Sequence, residues 1–185
     1  MSVCEDHLQE CFYNTEDFTL SWSADPDAKR VHGCIDSLLK IEAWSNQQRN
    51  RYAAASHALF AQLRRDGLAF TARILQAQAQ AKASGDLPLV DQPKFVLLAH
   101  LLASLGPDLR KIAIVESLLF KNPDLTIENK VETIISGLLT LQSLDQICFL
   151  GLRALALSEW FKRYAESLLK VTRQAAQDQG DNPTG

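Results

Sequence analysis

From Asp25 onward, apolar side chains recur every three or four positions and no segment alternates with period two, the pattern of an all-helical protein. Asp25-Pro26-Asp27 combines an N-cap, a first-turn proline and a first-turn acid, so a helix is predicted to start there, with Val31, Cys34, Ile35, Leu38 and Ile41 on its apolar stripe. Ser45-Asn46 restarts the chain into a long second helix predicted to reach about Ala83, with Gly85 as its C-cap and Tyr52, Leu59, Phe60, Leu63, Phe70, Ile74 and Leu75 facing inward. Its Ala/Gln-rich last third is expected to project into solvent or a partner. After a connector bearing Pro88 and Pro93, a third helix carries Phe95, Val96, Leu98, Leu101, Leu102 and Leu105 and closes at Gly106-Pro107. A fourth is expected from Pro107 to Phe120, and a fifth, capped by Thr126, has the stripe Ile127, Val131, Ile134, Ile135, Leu138 and Leu141.

Ser143-x-x-Gln146 has the form of a capping box and opens a final helix predicted to run to about Gln177. Ile147 to Leu157 is apolar nearly all round, which predicts a central helix packed on several sides with Cys148 buried. The expected architecture is therefore all-α: a single-domain bundle of about six helices over residues 25–177, preceded by an arm at 1–24 and followed by a short disordered tail at 178–185.

A hydrophobic fraction of 46% with a net charge of −3 places the chain among folded globular proteins, and 185 residues bury a real core without disulfides or metal. Its longest apolar run is interrupted by Arg153, too short for a membrane span, and the acidic N-terminus lacks the basic start of a signal peptide. A cytoplasmic location with four free cysteines is the expectation.

Charge is divided unevenly. The first 28 residues carry seven acids and no Lys or Arg, whereas the remaining 157 hold 19 basic and 15 acidic residues. In the arm, Phe12, Tyr13, Phe18 and Trp22 are interspersed with Glu16 and Asp17, a mixture suited to docking: rigid aromatics supply contact area and acids steer toward basic surfaces. The arm either straps this protein's own bundle or engages a partner. Arg64 and Arg65 on the second helix suit carboxylates, of the arm or of another protein. That helix holds six basic residues against one acid, but they scatter around its axis, and a chain pI near 5.8 argues against a nucleic-acid-binding domain.

Two constellations bear on chemistry. Cys4, His7 and Cys11 are spaced to share a helix face, and Cys34 could add a fourth ligand; zinc ligands more often come as paired cysteines from tight loops, so spacing alone assigns no metal. Arg51-x5-His57 resembles the Arg-x(4 to 6)-His motif of HEPN-type ribonucleases over seven residues, which implies a helical dimer where Arg stabilises a pentavalent phosphate and His acts as acid or base. His100, inside an apolar helix, reads as a hydrogen-bonded core residue.

No residue falls into a spacing that catalysis demands, so no catalytic residue, metal or cofactor is assigned. The function expected is a non-enzymatic protein-protein interaction module, an adaptor, regulator or scaffold that pairs with a protein partner and with itself as a homodimer, with Phe12, Tyr13, Phe18, Trp22, Arg64 and Arg65 as partner-binding residues. The alternatives are a HEPN-like ribonuclease using Arg51 and His57, or a matrix or coat-like structural protein.

Overall fold

Four of the helices begin where a short polar side chain satisfies the first free N–H groups. Asp25 accepts from the backbones of Asp27 and Ala28 at 2.9 and 3.4 Å, with Pro26 in the first turn. Ser45 and Gln48 form a reciprocal capping box, Thr126 caps with a 3.4 Å bond from the Asn129 N–H, and Ser143 does the same for Gln146. The computed structural model describes residues 3–13, 25–41, 44–83, 87–112 and 125–169. Within them lie α1 (Val3–Tyr13), α2 (Pro26–Leu39), α3 (Asn46–Gln80), a 3-10 turn (Leu89–Asp91), α4 (Pro93–Ser104), α5 (Gly106–Leu109), α6 (Ile127–Leu139) and α7 (Leu144–Leu168). The architecture is an all-α bundle, with no strand among the described residues. No helix among them is long and apolar enough to cross a membrane. The expected C-cap at Gly85, the helix beyond Ile112 to Phe120, the last helix beyond Leu169 and the tail at 178–185 lie outside the described residues.

The central helix is α4. Every residue from Phe95 to Ser104 is buried, and α3, α1, α2, α6, α7 and the 3-10 turn all pack against it. The sequence pattern predicts the last helix at the centre, and the structure corrects this. In α4 a single charge, Lys94, interrupts the apolar surface, whereas α7 carries Asp145, Arg153, Glu159, Lys162, Arg163 and Glu166, which divide its surface. Its inner face (Leu150, Ala154, Leu157, Phe161, Ala165) is buried, while Cys148 is exposed and not the buried hydrophobe expected.

The first half of the acidic N-terminal stretch is a core helix. In α1, Cys4, Leu8 and Cys11 are buried, and its main contacts are with α4, the 3-10 turn, α2 and α6. Asp91 accepts from the Cys4 N–H at 3.3 Å, placing a carboxylate at the positive end of the α1 dipole. On the other flank, buried Lys130 of α6 donates to the Gln9 side chain.

Inside α3 the helix breaks at Gly67, whose φ of 74° and ψ of 171° lie where side-chain-bearing residues are strained. The break resets the helical phase. Leu68, Thr71, Ala72, Leu75 and Ala79 face inward, while Phe70, expected inside, is 65% exposed. Arg73, on the same half-helix, makes two hydrogen bonds to Glu132 of α6 at 2.9 and 3.0 Å.

Arg153 ties α7 to the opposite wall. Its guanidinium pairs with Asp27 of α2 at 2.7 Å and Asp108 of α5 at 3.0 Å, and both carboxylates are nearly buried. The two acids hold the Arg153 pKa above its ordinary value, the Asp27 hydrogen bond first.

Two substitutions test this description. With no atom crowding a Cβ at Gly67, Gly67→Ala reads backbone strain alone: it destabilises by about 1–2 kcal/mol if the helix is broken there, and stabilises by up to about 1 kcal/mol if α3 is continuous, so the direction of the urea midpoint shift decides. Arg153→Met, which keeps the aliphatic stem but leaves Asp27 with Arg30 alone and Asp108 with Lys111 alone, lowers stability by about 1–3 kcal/mol in the same assay; a loss under about 0.5 kcal/mol would show the clamp to be unimportant.

Candidate functional site

At the centre of α4, His100 is fully buried, so both its ring nitrogens need partners from the protein. The Tyr52 hydroxyl from α3 lies 2.9 Å from Nδ1, and His7 Nε2 from α1 lies 2.8 Å from Nε2. The His7 and His100 rings meet edge to face, centroids 5.1 Å apart, and Trp44 leans on the far side of Tyr52. One turn along α1 from His7, Cys11 Sγ sits 3.8 Å from His7 Nε2. The ligand atoms of His7, Cys11 and His100 all lie within 4.8 Å of one another. Cys34, from α2, is hydrogen-bonded with Cys11 and packs with it against Ala103. Four helices thus converge on one dry polar cluster.

Burial keeps the cluster uncharged near neutral pH. It pulls His7 down to about 4 and His100 well below the ordinary imidazole value, the His7 charge adding to the latter. The Cys11 thiol is pushed well up by its hydrogen bond to Cys34, then by burial, and burial also drives Tyr52 up. Two neutral imidazoles, hydrogen-bonded to one another, lie with Cys11 in a buried group whose nitrogen and sulfur atoms are those that hold a metal.

A second feature lies on the outside. In the first half of α7, Leu144 is 71%, Ile147 45%, Phe149 46% and Leu152 68% exposed. Leu144, exposed Cys148, Leu152 and half-buried Leu155 follow one another at steps of four, four and three residues along one outward face. Gly151 borders this face with nothing within 4 Å of where a Cβ would stand, so another backbone can come close.

The residues singled out from sequence fall in different places. Phe12 is half-buried against the core, Arg64 is exposed, and Arg65 is exposed and bonded to Asp66 at 2.7 and 2.8 Å. Tyr13 ends α1, its side chain outside the described residues, as are Phe18 and Trp22. Six positions apart on α3, Arg51 and His57 are rotated about 120° from one another around the axis, and His57 points to Glu166 of α7 at 3.5 Å. Of the metal-ligand set named from sequence, His7 and Cys11 come together, Cys34 packs beside Cys11, and Cys4 sits apart beside Asp91. Sequence spacing missed His100. Its one signal was a lone ring-bearing polar residue in a helix with no polar face, which guarantees a buried partner without naming it.

Comparison with protein families, curated proteins and solved structures finds no match to this chain.

Tyr52→Phe removes the hydroxyl from His100 while keeping the ring. It costs about 1–3 kcal/mol, the penalty of an orphaned buried nitrogen, read as a shift in the thermal or urea midpoint. An unchanged midpoint would show that this hydroxyl is not what satisfies His100.

Proposed function

We propose that this chain is a non-enzymatic interaction module that docks through the outward face of α7, and that the first occupant of that face is a second copy of the chain. The observation that carries this reading is the exposure of Leu144, Ile147, Phe149 and Leu152 on half of one helix, around exposed Cys148. Scattered surface leucines are ordinary; four large apolar side chains within nine residues form a patch that water disfavours by about 1.5–3 kcal/mol per side chain left unburied. The four-four-three spacing is that of a seam along which one helix lies on another, and a two-fold axis pairs such a seam with itself. Gly151 supports the same reading. Mid-helix glycine costs about 1 kcal/mol relative to alanine, a cost recovered where it lets two helices approach closely.

The buried cluster adds support of another kind, since its sealed, neutral character suits a scaffold better than a reaction centre. Exposed Arg64 remains available to a further protein partner.

Sedimentation of the wild type and of the double substitution Leu144→Glu/Leu152→Glu tests the proposal. The wild type is expected at twice the chain mass at tens of micromolar and the variant at one chain mass, with the thermal midpoint measured below the dimer dissociation range unchanged. A wild-type monomer at high concentration, or a variant that loses fold stability without changing mass, would overturn it by showing that the face is not a self-interface.

A further inference from the structure

We propose that His7, Cys11 and His100, with neighbouring Cys34 turning in as the fourth ligand, form a tetrahedral zinc site that fastens α1 and α2 to α4. The residues come from three helices far apart in sequence, yet the ligand atoms of His7, Cys11 and His100 lie within 4.8 Å of one another, with His7 Nε2 and His100 Nε2 2.8 Å apart and Cys11 Sγ 3.8 Å from His7 Nε2; Cys34 packs beside Cys11 outside that group and has to turn its thiol inward. Zinc bound at about 2.05 Å to nitrogen and about 2.3 Å to sulfur requires edges of about 3.3 Å between nitrogens, about 3.6 Å between nitrogen and sulfur and about 3.8 Å between sulfurs. The nitrogen-sulfur edge is already of that size, and the two imidazoles need to part by about half an ångström.

Donor chemistry points the same way. Two thiols and two imidazoles are the set that selects zinc among common divalent ions, while magnesium and calcium require oxygen ligands. A tautomer that fits the metal is open to His100: when its Nδ1–H donates to the Tyr52 oxygen 2.9 Å away, as metal-bound histidines ordinarily donate outward, Nε2 carries the lone pair, which accepts from His7 without metal and turns to the ion when zinc enters. His7 and Cys11 are one turn apart on α1, so both donate from the same helix face. Zinc entry replaces the thiol protons of Cys11 and Cys34, releasing up to two protons to solvent and leaving the site neutral. The bound ion would join two helices to the central one without a disulfide, in keeping with four cysteines that are all free thiols.

The test uses the full chain, reduced and stripped with a chelator, then titrated with zinc while metal content is measured by mass spectrometry and helix order by thermal unfolding. One zinc per chain is expected, raising the unfolding midpoint in a way that chelator reverses. Cobalt substituted for zinc is expected to give the intense thiolate-to-metal band of a tetrahedral thiolate site. Cys34→Ser and His100→Gln are expected to lose stoichiometric binding, while Cys148→Ser retains it. Because substitution in the core can itself unfold the chain, the wild type alone also decides. Failure of the reduced wild type to take up one equivalent, uptake abolished by Cys148→Ser, or a Cys11–Cys34 disulfide forming with no metal bound by the reduced chain, would each overturn the site.

Discussion

Complete burial of α4 is the constraint on which the rest of this structure depends. A helix with no solvent face must be enclosed by neighbours, and here α1, α2, α3, α6 and α7 supply them. A histidine side chain buried in such a helix needs both ring nitrogens matched, because an unpaired buried nitrogen is costly in a medium that cannot solvate it. His100 is that side chain. Its two nitrogens are matched by residues from two other helices, Tyr52 of α3 and His7 of α1, so the packing of both is bound to the chemistry of one ring.

The consequence is a bundle fastened at two points of different kind. On the α1 side the fastening is buried, neutral and rich in sulfur and imidazole. On the α7 side it is ionic: Arg153 spans Asp27 and Asp108, and the side chain lies near enough to the surface for its charge to be partly solvated. Between these, α7 turns its inner leucines to the core and its first-half apolar residues outward. A helix apolar on two faces but packed on one has a vacancy on the other, and the proposed self-association follows from that imbalance.

Helix starts and the apolar faces of α2 and α6 were legible in the sequence because capping and 3.6-residue periodicity act locally, within one turn of the residues that cause them. Asp25, Ser45, Thr126 and Ser143 each cap the helix expected. What was not legible depended on neighbours distant in sequence. A run such as 147–157 looks the same whether its outer face meets another helix of the chain or another molecule. The break at Gly67 was hidden because a glycine inside a strong helical pattern also fits a continuous helix, and Phe70 was misplaced by the phase that the break resets. Of the polar cluster, i to i+4 spacing made His7 and Cys11 visible as a pair, but His100 entered only through a contact 93 residues away along the chain.

The central claim is that α1 belongs to the core through the His7–His100 contact. Hydrogen exchange of the intact chain tests it most directly, since residues 3–13 fall within the acidic stretch whose composition alone resembles a loose arm. If the claim holds, amides of residues 6–11 exchange as slowly as those of α4, through global unfolding, and accelerate together in a His7→Ala chain while α3 stays protected. Exchange of residues 3–13 at the rate of an unstructured peptide, alongside full protection of α4, would contradict it.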